Sequence, residues 1–143
     1  MKDCVFCKIK NDKDITFVKD FDNWVYRISP SQFLLGAGAL IHKDHKEGLT
    51  SLNESEVIEA FKIIRKIEIA LKKSFDPDWF NYLQTNNSVR HLHFHILPRY
   101  KQKIEFEGEE FVDKTFKDMP LENNRILPDR IMKRIIKTIQ KNL

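Results

Sequence analysis

The segment His91-Leu92-His93-Phe94-His95-Ile96-Leu97 constrains this chain more than any other. Polar and apolar side chains alternate along it, the pattern of a strand with one face on a core. The predicted strand runs from Val89 to Leu97 and is halted by Pro98. His91, His93 and His95 then share one face, with successive imidazoles ~6–7 Å apart. Leu92, Phe94 and Ile96 line the other, core-facing side. The chain holds five His, and three of them stand here, so the run is a candidate site rather than a solvated face.

Elements of both kinds surround this strand. Thr16-Phe17-Val18 and Asn23 to Ile28 read as a hairpin with Asp20-Phe21-Asp22 as its turn, and Gly36 to His42 as a third strand. Asn53 with Glu56 forms a capping-box pattern. Val57, Phe61, Ile64, Ile67 or Glu68, and Leu71 then recur at helical steps. That predicts a helix of about twenty residues, stopped by Asp76-Pro77. A fourth strand runs Trp79 to Gln84, and the polar turn Thr85-Asn86-Asn87-Ser88 leads to the histidine strand. Residues 101–127 read as irregular, and Pro128 as the first residue of a closing helix. The expectation is one α+β domain over residues 1–143, with a core at about 4–100 and a C-terminal extension at 101–143.

Charge and composition narrow the partners. The net charge is 25 − 21 = +4, and Arg130, Lys133, Arg134, Lys137 and Lys141 space as the wet face of an amphipathic helix. No aromatic residues interleave with them to stack on bases, so no nucleic-acid partner is expected. No apolar run approaches the ~18 residues of a membrane span, so no membrane partner is expected either. The opening residues lack the apolar stretch of a signal peptide, which predicts a cytoplasmic protein. There Cys4 and Cys7, as Cys-x-x-Cys, read as a metal or redox pair rather than a structural disulfide. The redox reading is the weaker one, because the pair precedes strands rather than opening a helix after one.

Two chemistries fit the histidines. A His-x-His metal site usually needs a carboxylate or further His, and no Asp or Glu follows until Glu105. A neutral imidazole, with an ordinary pKa of about 6.5, is itself a nucleophile able to displace a leaving group at phosphorus. Donors from Asn86, Asn87 and Ser88 would then stabilise charge on the non-bridging oxygens.

The run His91 to Leu97, continued by Pro98-Arg99-Tyr100, resembles the His-φ-His-φ-His-φ-φ signature of the histidine triad (HIT) family, where φ is apolar. Cys4-Val5-Phe6-Cys7-Lys8-Ile9 resembles the opening of many bacterial members. Gly36 and Leu40-Ile41-His42-Lys43-Asp44-His45 resemble another family segment, and Phe106 to Asp113 a pattern of a short-loop bacterial branch similar to diadenosine polyphosphate hydrolases. The resemblance covers roughly residues 4 to 100. It implies an antiparallel half-barrel sheet carrying a long helix, usually in a homodimer. It also implies a nucleotide substrate, such as a dinucleoside polyphosphate or nucleoside phosphoramidate, that is hydrolysed or transferred. His93 would form a nucleotidyl-histidine, and His95 would sit beside the phosphate. Asn86, Asn87 and Ser88 would hold phosphate oxygens.

The resemblance further implies a structural zinc held by Cys4, Cys7, His45 and His91, with no metal required for the chemistry; His42 is a rival for His45. His91 would then serve the catalytic triad by orientation rather than proton transfer. Departures from the pattern stand out. Arg27 occupies the place where many members carry an acidic residue for the ribose hydroxyls, Ala37 replaces a His, His42 replaces a Pro, and the loop before the triad is short. Arg27 and the short loop motivate a second reading, a nucleotide-binding module without catalysis. A third is a metalloenzyme with the triad as ligands.

Overall fold

A computed structural model describes residues 4–143. Its centre is a five-stranded antiparallel sheet of order β1-β2-β3-β5-β4. The strands are β1 (Phe17–Asp20), β2 (Trp24–Ile28), β3 (Gly38–His42), β4 (Trp79–Leu83) and β5 (His93–Arg99). A short helix α1 (Val5–Ile9) precedes them, so the Cys-x-x-Cys pair lies on a helical turn that the sequence reading did not anticipate. The long helix α2 (Glu54–Phe75) and the closing helix α3 (Asp129–Asn142) complete the α+β fold.

Helix α2 begins as expected. The Asn53 side chain accepts from the Glu56 N–H, and the Glu56 carboxylate accepts from the Asn53 N–H. It ends at Asp76, which takes a left-handed conformation (φ 50°) just before Pro77. Its buried face differs from the predicted stripe. Ile64, Ile67 and Leu71 point inward with Ala60 and Ile63, whereas Val57 and Phe61 are exposed. Apolar residues stand on both sides of this helix, and periodicity alone could not choose between them. Leu92, Phe94 and Ile96 do join the core beneath α2 and α3, as the alternation predicts.

Several boundaries shift, among them the start of β3 at Gly38 rather than Gly36 and the end of β4 at Leu83 rather than Gln84. Strand β5 starts at His93 rather than Val89, which leaves His91 outside the strand. It also runs through Pro98 to Arg99, beyond the last β3 pairing at Gly38↔Ile96. There the strand is an edge on that side, where Pro is tolerated. Pro128 is the N-cap of α3 instead of its first helical residue. The stretch 101–127 contains a small hairpin, β6 (Ile104–Phe106) and β7 (Glu109–Phe111), turned at Gly108 with φ 82°.

A buried arginine anchors the segment after this hairpin. Arg99 donates from Nε to Asp113 Oδ2 (2.6 Å) and from Nη2 to Asp113 Oδ1 (3.0 Å), and both side chains are 2% exposed. The guanidinium also reaches Asn81 Oδ1 and the carbonyls of Thr115 and Asp118. Arg99→Ala strands a buried carboxylate, and the expected loss is about 3–5 kcal/mol of folding stability. Urea denaturation followed by circular dichroism measures it.

Candidate functional site

The pairing register places the site. Val25, Ile41 and His93 form one row across β2, β3 and β5, and Arg27, Ala39, His95 and Leu83 form the next across β2 to β4. Both rows lie on the face opposite Leu40, Phe94 and Ile96, since side chains alternate along each strand. Above this face is a cleft of about 450 Å³, lined by Phe6, Ile9, Arg27, Ala39, His95 and Glu122 among others. Ala39 leaves room over the floor. Gly38 permits close strand contact, for a Cβ there would lie 2.5 Å from the Arg27 carbonyl oxygen.

His93 is 4% exposed, and the Phe6 ring stands edge-on to it with centroids 4.9 Å apart. Its Nδ1 lies 2.6 Å from the His91 carbonyl oxygen. A carbonyl only accepts, so Nδ1 carries the proton and the neutral ring keeps its lone pair on Nε2. That Nε2 is 3.1 Å from His95 Nε2, and His95 therefore donates. An imidazole lone pair on His93 thus sits beside the N–H of His95, which lines the cleft. Burial lowers the pKa of His95, with His93 adding to the shift, so His95 takes up a proton less readily than a free imidazole.

His91 does not share the face of the other two. Its buried ring turns toward the N-terminal helix, with Nε2 2.6 Å from the His42 carbonyl and Nδ1 3.4 Å from Cys4 Sγ. Cys7 Sγ is 3.6 Å from the same nitrogen and 3.3 Å from His45 Nδ1. The potential ligand atoms of Cys4, Cys7, His45 and His91 all lie within 4.8 Å of one another. Bonds of ~2.3 Å to sulfur and ~2.0 Å to nitrogen in a tetrahedron give S···N edges of ~3.5 Å, so these four residues could hold a metal ion. With Nε2–H of His91 bound to the carbonyl, Nδ1 is the free lone pair, the outer-shell arrangement such ligands use. His42 is turned away, its ring against Trp24 and near Glu56. The rival ligand is therefore outside the cluster.

The turn residues spread out. Asn86, at φ 50°, donates from Nδ2 to the Glu47 carbonyl, and its Oδ1 is buried without a partner. Asn87 is exposed, and Ser88 lines a smaller hollow beside Cys4 and His45, whereas Thr85 lines the main cleft. Arg27 is buried and committed to the N-terminal segment. Its Nη1 donates to Asp14 Oδ1 (2.9 Å) and Thr16 Oγ1 (3.1 Å), and its Nη2 to the Ile9 and Asp12 carbonyls. Thr85 and Glu122 escaped the sequence reading, because neither belongs to a motif.

A family model described as HIT domain matches residues 36–102. Protein hit of Bacillus subtilis is 30% identical over 105 residues, spanning 69% of this chain and 72% of that protein. The chain belongs to the HIT family. A structure of a Hit-like protein involved in cell-cycle regulation, from Bartonella henselae, superimposes with a TM-score of 0.75 at 25% identity, covering 100% of this chain and 98% of that one. A Zn-bound histidine triad protein from Mycobacterium smegmatis shares the fold, with a TM-score of 0.68 at 18% identity and 99% coverage of both chains. HIT membership supports a function of the nucleotide-binding or hydrolase type. No helix among the described residues is long and apolar enough to cross a membrane.

Burial of the neutral histidines gives a stability signature. The folded pKa of His95 lies below its unfolded value near 6.5, as does that of His91, also chiefly through burial. The unfolded chain then binds more protons, so stability falls as pH drops through about 6.5. The urea midpoint is expected to decrease from pH 7.5 to 5.5, and His95→Asn to flatten part of that slope.

Proposed function

We propose that this HIT protein is a nucleotide hydrolase or nucleotidyl transferase working through a covalent intermediate on His93. The observation that carries the reading is the lone pair on His93 Nε2, fixed by the Nδ1 bond to the His91 carbonyl and set beside the His95 N–H. Nε2 attacks the α-phosphorus of a dinucleoside polyphosphate or nucleoside phosphoramidate. An N–P bond forms, the bond to the leaving group breaks, and that group departs with its electron pair. Water or another acceptor then cleaves the N–P bond and restores the imidazole. His95 Nε2–H hydrogen-bonds a non-bridging oxygen as charge builds, and Asn86, Asn87 and Ser88, which do not line the cleft, would add donors only once the turn moves toward it. Phe6 must yield for phosphorus to reach His93, since its ring edges over that imidazole.

The same burial favours a second reading, nucleotide binding without turnover. One experiment separates the two. With substrate labelled in the α-phosphate, the wild-type protein becomes labelled in an acid-labile bond, and His93→Ala loses the label and turnover while still binding nucleoside monophosphate. Binding with no label on the wild type supports the module; label persisting on His93→Ala overturns His93 as nucleophile.

Cys4, Cys7, His45 and His91 are proposed to hold a structural zinc, supported by their S···N separations of 3.3–3.6 Å and by the Zn-bound neighbour from Mycobacterium smegmatis. It would fix α1 and the His91 carbonyl in place and leave the chemistry to His93. Protein purified under reducing conditions is expected to carry about one zinc per chain by metal analysis. Cys7→Ser should lose it together with thermal stability.

We further propose a cytoplasmic homodimer, the assembly resting on one face of the surface. β4 is an edge strand, and Phe61 of α2, 64% exposed, faces a groove it shares with Ile69, Tyr82 and Phe94. An unpaired edge beside exposed apolar side chains is the kind of surface a second copy covers.

A further inference from the structure

We propose that Glu122 receives the ribose hydroxyls of the bound nucleotide and makes the site select ribonucleotides. The inference rests on the nucleotide reading above and adds a residue and a sugar preference to it.

Arg27 cannot do this work. It lies on the cleft floor, but both terminal nitrogens are spent on Asp14, Thr16 and the carbonyls of Ile9 and Asp12, and its Nε, buried without a partner, can only donate and cannot accept a hydroxyl proton. The Asp14 carboxylate holds Arg27 and the N–H and hydroxyl of Thr16 through Oδ1, and the residue does not line the cleft. Among the described residues lining the cleft, Glu122 is the one carboxylate. It belongs to none of the described ion pairs. Its oxygens are free to accept.

The chain around Glu122 is held on both sides. Upstream, Arg99 grips Asp113, Thr115 and Asp118. Downstream, Ser31 Oγ donates to the Asn123 carbonyl and accepts from the Arg125 N–H, and the Gln32 N–H donates to the Arg125 carbonyl (2.9 Å). Arg125 itself is turned to Glu109 and the Phe111 ring, so it does not neutralise Glu122. The backbone that carries Glu122 is thus fixed beside the cleft, while its side chain is exposed and unpaired.

The chemistry matches a vicinal diol. A carboxylate is acceptor-only with two oxygens, and a ribose offers two neighbouring O–H donors. His95 and Glu122 line the same cleft, and Phe6, Ile9, Phe33 and Leu97 give it apolar walls. A phosphate at His95, a sugar reaching Glu122 and a base against these walls would all lie in this one cleft. A deoxyribose leaves one carboxylate oxygen unmatched.

Equilibrium binding by calorimetry tests this on the full chain, with adenosine and guanosine monophosphates and their 2′-deoxy and 3′-deoxy counterparts. The wild type is expected to bind the ribonucleotide at least about tenfold more tightly than either deoxy form, as for a hydrogen bond to a charged acceptor. Glu122→Ala is expected to bring that ratio to near one, Glu122→Gln to leave a partial preference, and Glu105→Gln on exposed β6 to leave it unchanged. Equal wild-type binding of ribo and deoxy forms overturns the assignment while the nucleotide reading stands, as does a ratio that survives in Glu122→Ala. Absence of binding by every nucleotide overturns both.

Discussion

The hydrogen bonds of His91 join the three parts of the site. Its Nε2–H holds the His42 carbonyl at the end of β3, its Nδ1 faces the two cysteines, and its own carbonyl accepts from His93. One residue therefore couples the sheet, the ligand cluster and the tautomer of the candidate nucleophile. That coupling is possible because the chain leaves the strand at His91. A residue inside β5 would spend its carbonyl on the ladder and point its ring at the cleft. The same departure explains why the first histidine differs in environment from the other two.

Two buried arginines do comparable work in fastening irregular chain to the sheet. Arg27 on β2 fastens the segment from Ile9 to Thr16, and Arg99 on β5 fastens the segment from Asp113 to Asp118. Each offers a planar fork of donors, which suits an Asp side chain together with several carbonyls. Irregular chain is thereby held over the sheet with its backbone oxygens satisfied. The walls of the cleft are loops and a single helical turn, yet their positions are set by the rigid sheet below.

Legibility in the sequence followed the range of the interaction. The Asn53–Glu56 cap, the stop at Asp76-Pro77 and the Leu92, Phe94, Ile96 face are local or periodic, and they read correctly. The Cys-x-x-Cys pair with His45 was legible only through family resemblance, because 38 residues separate Cys7 from His45. The inward face of α2 was misread at Val57 and Phe61, since apolar residues occupy both of its sides. Strand pairing at Pro98 and the small hairpin at Gly108 depend on partners that no local pattern names.

The sequence by itself determined that an alternating His-rich strand would back onto a core and that a long capped helix would cover that core. These features are set by side-chain period and by donors within four residues of one another. Tertiary structure decided that His91 would turn to the cysteines, that Arg27 would bind backbone instead of facing a ligand, and that Glu122 would reach the cleft. Each of these depends on groups far apart in the chain meeting at hydrogen-bond distance, and only the folded sheet brings them there.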